Sequence, residues 1–327
     1  MDAAFNVLRG TRCLVTGGAG FIGSHIATHL VRGGASVRVL DNLSTGFARN
    51  LQAVADDLEF IEGDAADADL VDRCSEGVDY VFHQAAMASV PRSMREPALC
   101  HAWCATSTVN VLQAAASSGV RRVVLASTSA AYGNSSFVSK RESDPPAPLS
   151  PYAAAKLSAE QYCGAFYRGF GLETAVLRYF NVFGPRQDPQ SEYSAVIPRF
   201  VSMILSGQRP VIYGDGGQSR DFVYVADVVQ ANLLAATVPA AAGGTFNVAR
   251  GGSTTLLELL NDLREILGES IEPIHEPARE GDVRDSLADI SQARTVLGYD
   301  PQVTVEAGLR QSVDYYRSIA NQKVGSR

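Results

Sequence analysis

Short apolar runs rich in β-branched residues recur along the first half of the chain, with helix-length segments between them. Six such runs stand at 13–15, 37–40, 58–61, 78–82, 123–125 and 175–177. Runs of this kind, without polar alternation, are typical of strands that are buried on both faces of a parallel sheet. Because they alternate with helical segments, the pattern predicts right-handed strand–helix–strand units and an α/β protein with an open, doubly wound parallel sheet.

The pattern changes after Arg178. Residues 181–220 contain four prolines and five glycines, and within them only 196–205 form a strongly apolar stretch of helical length. Farther along, 221–236 predict a strand and a helix, 245–248 a strand, and 255–267 an amphipathic helix with leucines on one face. We therefore predict two lobes: residues 1–178, with a return of the chain at about 221–249, and a smaller mixed α/β C-terminal lobe of residues 179–220 and 250–327.

Composition and charge narrow the possible partners. Of the 327 residues, 46% are apolar and 19% are charged, which is typical of a globular protein. The net charge of −7 comes without a basic block, so nucleic acid is not an expected partner. No apolar run approaches the ~18 residues of a membrane span and the first residues lack a signal pattern, so we expect no membrane association and a cytoplasmic location.

The five cysteines are odd in number and scattered, which argues against a disulfide framework. The segment Cys100-His101-Ala102-Trp103-Cys104 has no second Cys/His pair at ligand spacing. We therefore predict no metal site and interpret this segment as a buried helix.

A glycine run follows the first strand and opens a helix, which is the context of a dinucleotide site. Gly17 would permit the tight turn, Gly20 would let the backbone approach a pyrophosphate, and Gly23 would let the helix pack on the strand. Asp41 ends the second strand, where a carboxylate would accept hydrogen bonds from the adenosine ribose and repel a 2′-phosphate, so NAD is favoured over NADP. The other predicted cofactor contacts are Phe21, Ile22, Asn42, Ser44, Gly46, Asp64, Ala65, Gln84, Ala85, Ala86 and Tyr179.

A tyrosine and a lysine stand four residues apart in Tyr152-Ala-Ala-Ala-Lys156. Lysine is rare here, with three among 28 basic residues, so its place calls for a reason. On a helix the two side chains share a face, and a neighbouring cation favours phenolate over phenol. The pair therefore predicts a tyrosine base that contacts the cofactor together with the lysine.

Together these motifs resemble the extended short-chain dehydrogenase/reductase superfamily and, more narrowly, its nucleotide-sugar 4-epimerases, from Thr11 to about Tyr316. The resemblance implies a Rossmann-type, NAD-binding first lobe and a C-terminal lobe that binds a UDP-sugar. It also places Thr128, four residues before Tyr132-Gly133, beside the sugar oxygen that gains or loses a proton. Tyr152 would take the proton of the 4-hydroxyl while NAD takes hydride from carbon 4. The 4-keto sugar would then rotate within the site, and the hydride and the proton would return to it.

The resemblance also implies contacts with the substrate. Asn181, Arg220 and Arg279 would bind the diphosphate, Asp282 the uridine ribose, and Tyr213 would stack on uracil. The motifs are most similar to those of bacterial UDP-N-acetylglucosamine 4-epimerases, and Ser286, where some relatives carry a bulky tyrosine, would leave room for an acetamido group. The other predicted substrate contacts are Ser89, Ser129, Gln187, Ala195 and Val196.

Three other functions can be compared with the residues present. A 4,6-dehydratase would carry an Asp-Glu pair directly after Thr128, and this chain has Ser129-Ala130. A UDP-glucuronate 4-epimerase or decarboxylase would need a basic contact for the sugar carboxylate, a role that Arg92 and Arg186 leave open. A non-catalytic NAD-binding module is disfavoured because Thr128, Tyr152 and Lys156 are all present.

The resemblance also implies a homodimer. Relatives usually pair two long helices of each subunit in a four-helix bundle, and the stretches 101–118 and 151–170 are long enough for this.

Overall fold

The computed structural model describes residues 8–135, 137–189, 196–278 and 284–325, with side chains up to residue 319. In chain order, the strands of these ranges are β1 (Arg12–Thr16), β2 (Ser36–Asp41), β3 (Leu58–Glu62), β4 (Tyr80–His83), β5 (Arg122–Thr128), β6 (Ser139–Lys140), β7 (Glu173–Tyr179), β8 (Asn181–Phe183), β9 (Val211–Tyr213), β10 (Ser219–Arg220), β11 (Phe222–Tyr224), β12 (Thr245–Val248), β13 (Thr254–Thr255), β14 (Ile274–Glu276) and β15 (Asp285–Ala288).

The helices of the same ranges are α1 (Phe21–Arg32), α2 (Ala68–Ser75), α3 (Val90–Arg95), α4 (Pro97–His101), α5 (Ser107–Ser118), α6 (Pro151–Phe170), α7 (Val196–Leu205), α8 (Val225–Thr237), α9 (Leu256–Leu267) and α10 (Val305–Gly325). A π-helical turn, Ala102–Thr106, joins α4 to α5 without a break. The predicted helix of 101–118 therefore begins earlier, at Pro97.

A parallel sheet of seven strands, counted over the described ranges, forms the centre of the fold in the order β3-β2-β1-β4-β5-β7-β12. All six predicted apolar runs and the predicted strand of 245–248 are strands of this sheet, which confirms the doubly wound α/β class. The order reverses between β1 and β4. Ligands of such sheets bind beyond the carboxyl ends of the strands at this point.

Two apolar layers cover the two faces of the sheet. Successive residues of a strand point to opposite faces, so Val15 packs with α1 and α8, whereas Leu14 packs in the layer formed by α2, α5 and α6. All of β5 is buried, which explains its unbroken apolar run. The exposed residues of β3 reflect its place at the sheet edge.

The C-terminal part of the chain has an apolar core of its own. The side chains of α7, α9 and α10 pack there with those of β8, β9 and β11. A small mixed sheet, β13-β10-β15-β6, contains one antiparallel and two parallel pairs, and two parallel strand pairs, β11-β8 and β14-β9, complete this region. The mixed α/β character predicted for the C-terminal part is confirmed.

Local signals set the bounds of α6. The Ser150 hydroxyl accepts a hydrogen bond from the Ala153 N–H at 3.2 Å, and Pro151 occupies the first turn, where a missing N–H costs nothing. Gly171 ends the helix with a left-handed φ of 71°. These signals fix the 20-residue helix that carries Tyr152 and Lys156.

Candidate active site

A cavity of about 590 Å³ opens at the carboxyl ends of the central strands, where the strand order reverses. Its walls come from the β1–α1 turn, the residues after β2, β3 and β4, the end of β5 and the start of α6. The volume lies within the range of about 300–1,000 Å³ that small-molecule sites usually occupy.

The glycine turn has the shape of a pyrophosphate cradle. Gly17 has a φ of 68°, and a Cβ there would lie 2.6 Å from the Ala85 nitrogen. A Cβ on Gly23 would lie 2.2 Å from the Gly17 carbonyl oxygen, so α1 can approach the turn only without one. Gly20 begins α1 without a side-chain cap, which leaves the first N–H groups of the helix for an anion. The residues present therefore fit a dinucleotide.

Asp41 joins this turn to the end of β2. Its carboxylate accepts hydrogen bonds from the N–H groups of Ala19 and Leu43, both at 2.8 Å, and it lines the cavity. Burial raises the pKa of Asp41, and these hydrogen bonds act in the opposite direction. The carboxylate stands where the sequence predicted ribose recognition, which favours NAD over a 2′-phosphorylated cofactor.

Asp64 lies in a polar wall that sequence reasoning missed in part. Its Oδ2 accepts hydrogen bonds from the Trp103 indole at 2.8 Å and the Asn42 amide at 3.1 Å. The Arg92 guanidinium lies 5.1 Å from the centre of the Trp103 ring, and both side chains line the cavity. The segment around Trp103 is helical as predicted, but its tryptophan contributes to the cavity wall. The one available signal was that an indole N–H, when buried, needs a partner.

Helix α6 brings Tyr152 and Lys156 against the end of β5. The Lys156 ammonium is 2% exposed and donates a hydrogen bond to the Ala126 carbonyl at 2.8 Å. The Thr128 side chain lies next to the Tyr152 hydroxyl and acts to lower the pKa of the phenol. The Thr128 hydroxyl also accepts a hydrogen bond from the Ala130 N–H at 3.1 Å, so it caps the strand end and faces the tyrosine at once.

The electrostatics of this pair differ from the expectation. Burial raises the pKa of Tyr152, the thiols of Cys104 and Cys100 add to this, and the hydrogen bond with Thr128 lowers it. Burial also lowers the pKa of Lys156. In the protein without cofactor, burial therefore outweighs the effect of the Lys156 charge on Tyr152, because the phenolate loses its hydration and the ammonium donates to the Ala126 carbonyl. The role of Tyr152 as a base beside Lys156 stays a prediction.

Two clusters of hydrogen-bonded polar side chains lie at or next to the cavity wall. The Tyr179 hydroxyl donates to Asn232 at 3.0 Å and lies 3.2 Å from Gln84. His83 is fully buried and bonded to the hydroxyls of Thr16 at 2.6 Å and Thr108 at 3.1 Å. Burial lowers the pKa of His83 to about 3, so it is a neutral cross-link between elements and not an acid or base at neutral pH.

A second cavity, of about 260 Å³, lies in the C-terminal region. Four predicted substrate residues line it: Asn181, Val196, Tyr213 and Arg220. Ser286 stands beside Arg220 in the register of β10 and β15.

The structure gathers most of the other predicted residues in the main cavity. All of the predicted cofactor contacts line it, with Ser89 and Gln187 of the predicted substrate set. Ser129 begins the short 3₁₀ turn after β5 and does not line either cavity. Ala195, Arg279 and Asp282 lie outside the described residues.

Three further features concern the cysteines, metal binding and membranes. All five cysteines are buried free thiols. In the described ranges, no group of His, Cys, Asp or Glu side chains could hold a metal ion. Over those same ranges, every helix is too short or too polar to cross a lipid bilayer.

Comparison with known proteins identifies the family. The sequence matches the NAD dependent epimerase/dehydratase family over residues 13–249. A UDP-glucose 4-epimerase of Mycolicibacterium smegmatis is 39% identical over 311 residues, which cover 94% of this chain and 99% of that protein.

Two solved structures extend the likeness to nearly the whole chain. A UDP-N-acetylglucosamine 4-epimerase from Methanobrevibacter ruminantium, in complex with UDP-N-acetylmuramic acid, is 41% identical with a TM-score of 0.92, over 95% of this chain and 99% of that one. A UDP-glucose 4-epimerase from Thermotoga maritima with UDP-glucose is 41% identical with a TM-score of 0.90, over 95% and 100%. These likenesses confirm the resemblance predicted from the sequence, with NAD as cofactor. The chain therefore belongs to the NAD dependent epimerase/dehydratase family.

Proposed function

We propose that this chain is an isomerase, an NAD-dependent 4-epimerase of a UDP-hexose. UDP-N-acetylglucosamine and UDP-N-acetylgalactosamine form the preferred pair, and UDP-glucose and UDP-galactose a second one. The observation that carries the proposal is Tyr152, next to Thr128 and one helical turn from Lys156, on the wall of a cavity that fits a dinucleotide. The family and the two similar epimerase structures support it.

Each of the three residues has a role in moving one proton. Tyr152 takes the proton of the sugar 4-hydroxyl and returns it when the same oxygen is protonated again with the opposite configuration. Thr128 is the side chain next to the phenol that favours its phenolate form, and we assign it the contact with the same sugar oxygen. Lys156 supplies a fixed positive charge beneath them, oriented by the Ala126 carbonyl.

NAD, when bound along Gly17, Gly20, Gly23 and Asp41, supplies a hydride acceptor and a positively charged ring. That charge favours the phenolate, which burial disfavours in the protein alone. The buried groups around Tyr152 also exclude water, so the proton stays between the tyrosine and the sugar oxygen.

The second cavity supports a nucleotide diphosphate as the anchor of the sugar. Arg220 offers a planar fork suited to phosphate and Tyr213 offers a ring on which a base can stack, and both line this cavity. Ser286, next to Arg220, has a small side chain, which supports an acetamido sugar.

The alternatives receive less support from the site. Ser129 and Ala130, which follow Thr128, carry no group that could move the extra protons of a dehydration. Arg92 and Arg186 line the main cavity, but both guanidinium groups have protein partners: Arg92 pairs with Glu96 at 3.1 Å, and Arg186 donates to the Thr28 hydroxyl at 3.0 Å. A sugar carboxylate would compete with these partners, as a phosphate would with the backbone partners of Arg220, so the choice between a hexose and a uronate rests on the substrates tested below.

The test is incubation of the protein with UDP-N-acetylglucosamine, UDP-glucose and UDP-glucuronate separately, followed by proton NMR and mass spectrometry. Epimerisation conserves mass, dehydration loses water and decarboxylation loses carbon dioxide. We expect the first outcome with the first two sugars. If protein with confirmed NAD converts none of the three, the epimerase proposal is wrong.

We also propose that the chain works as a homodimer in the cytoplasm. Helix α6 supports the first point, because it leaves Tyr162, Tyr167 and Phe170 exposed, Phe170 by 69%. The five free thiols support the second. Light scattering at micromolar concentration should give twice the mass of one chain, and a monomer there would contradict the dimer.

A further inference from the structure

Three consecutive residues at the end of β5 face three side chains of α6, and two of these contacts are hydrogen bonds. The α6 residues stand four apart and so share one face of the helix. The Ala126 carbonyl accepts from Lys156, and the Ser127 hydroxyl donates to Glu160 at 2.5 Å. Thr128 and Tyr152 form the third contact. The outer two contacts hold the groups of the proposed reaction, whereas the Ser127–Glu160 contact has no part in it.

An arginine on the next strand fixes Glu160. Arg178 donates to the Glu160 carboxylate twice, from Nε at 3.0 Å and from Nη2 at 2.7 Å. The two side chains are 6% and 4% exposed, and Arg178 stands beside Ser127 in the register of β5 and β7. The guanidinium also lies 4.8 Å from the centre of the Tyr132 ring.

Burial of an ion pair is weak evidence for stability, because desolvation offsets most of the attraction. A buried pair of this kind does constrain the position of its helix, because the Glu160 carboxylate cannot move along the sheet without losing both Ser127 and Arg178. A shift of α6 along β5 would break the bonds to Ser127 and Arg178 together, and would move Tyr152 and Lys156 by the same distance.

We propose that Glu160 and Arg178 are positioning residues. They fix the position of α6 along β5, and thereby hold the Tyr152 hydroxyl and the Lys156 ammonium in the geometry that the reaction requires. This inference rests on the proposed epimerase function.

The Glu160 carboxylate has a second effect, on the charge of Lys156. The other titratable groups that face Lys156 are Cys163 from its own helix, Cys100 and Cys104 from α4 and the turn after it, and His83 from β4. Burial lowers the pKa of Lys156, and the Glu160 carboxylate acts in the opposite direction. Loss of that charge would therefore let Lys156 lose its proton at a lower pH.

The test is the pH profile of kcat for Glu160→Gln, with bound NAD measured in every preparation. Glutamine keeps an acceptor for Ser127 but loses the charge and the paired bonds to Arg178. We expect kcat to fall about tenfold with KM changed less than about twofold, as for a misplaced reacting group. The alkaline limb of the profile should also move to lower pH.

Glu173→Gln is the matched control. Glu173 pairs with Arg122 at 2.6 Å at the opposite ends of the same two strands, far from the cavity. It should alter thermal stability alone and leave kcat and the pH profile unchanged. A wild-type kcat and pH profile in Glu160→Gln would overturn the proposal, as would equal changes in both variants.

If Glu160→Gln does not fold, Ser127→Ala takes its place. This change removes one bond to Glu160 and leaves the ion pair intact. We expect a loss of kcat of about threefold, and unchanged kinetics would overturn the proposal. Absence of UDP-sugar conversion by both wild type and Glu173→Gln would instead contradict the proposed function, and this inference with it.

Discussion

At the scale of single residues, Tyr152 is partly buried in surroundings that favour its neutral form. The loss of hydration raises its pKa, Cys104 and Cys100 add to this, and Thr128 is the protein group that lowers it. A base made in this way stays protonated until a cation is bound next to it. The protein can therefore confine proton transfer to the complex with NAD, in which a hydride acceptor is present.

The variant Tyr152→Phe tests this role. It should keep the fold and the bound NAD, because phenylalanine keeps the ring and removes only the hydroxyl group. Turnover should fall about 10³-fold, within the usual range for loss of a general acid–base group. The measurement is the initial rate of UDP-sugar epimerisation beside the NAD content of the same preparation.

The control for this variant is Tyr162→Phe, which makes the same chemical change on the same helix. Tyr162 is 43% exposed and lies away from the cavity, so its rate should equal that of wild type. Retained activity in Tyr152→Phe would remove Tyr152 from its assigned role.

The sequence predicted the residues whose chemistry is visible locally. Gly17, Asp41 and Tyr152 stand at fixed offsets from strand ends or helix starts, and the structure places them on one cavity. Trp103 and Arg178 could not be found in this way. Their contacts are to Asp64 and Glu160, 39 and 18 residues away, so their roles depend on packing between segments.

At the scale of elements, the glycine turn after β1 and helix α1 approach each other closely in the cofactor region. Gly23→Ala would place a methyl group 2.2 Å from the Gly17 carbonyl, which is backbone and cannot rotate away. We expect α1 to shift, with a loss of about 1–3 kcal/mol in the free energy of unfolding and a clear loss of NAD affinity. Urea unfolding and calorimetric titration with NAD measure the two effects.

Gly169→Ala is the control for that change. It lies in the last turn of α6, where a Cβ would meet nothing within 4 Å. Because alanine favours the helix over glycine, we expect a gain of about 0.5–1 kcal/mol and unchanged NAD binding. If both variants bind NAD as wild type does, the close approach at Gly23 is not needed for the site.

Elements with strong end signals were predicted to the residue, as α6 shows between Ser150 and Gly171. Shorter elements were not. Strands β6, β10 and β13 have two residues each, too few for any periodic pattern to appear. The π turn at Ala102–Thr106 also has no sequence signature, so the start of the helix before it was misplaced.

At the scale of the whole molecule, the half-buried His25 makes stability depend on pH. Burial and the nearby Arg186 charge lower the pKa of His25 from 6.5 to about 4. Below pH 6.5 the unfolded chain therefore holds a proton that the folded protein lacks, and the free energy of unfolding falls as pH falls toward 4. Burial raises the pKa of Asp221 to about 6, which acts in the opposite direction.

A comparison with His25→Gln isolates the histidine. Between about pH 6.5 and 5, wild type should lose about 1.6 kcal/mol relative to the variant, with a slope that approaches about 1.4 kcal/mol per pH unit. Urea unfolding at several pH values gives the difference. Parallel stability curves for the two proteins would show that His25 titrates normally in the fold.

Strand β12 completes the central sheet from far along the chain. It pairs with β7 through residues 245–248, more than sixty residues after β7 ends. On the ribosome, β7 therefore has an open hydrogen-bonding edge until residues 245–248 have been made. Such an edge is a template for pairing with other chains. A fragment that ends before residue 245 should therefore aggregate. In the order of synthesis, β12 comes last among the strands of this sheet and protects the edge of β7, which is made before it.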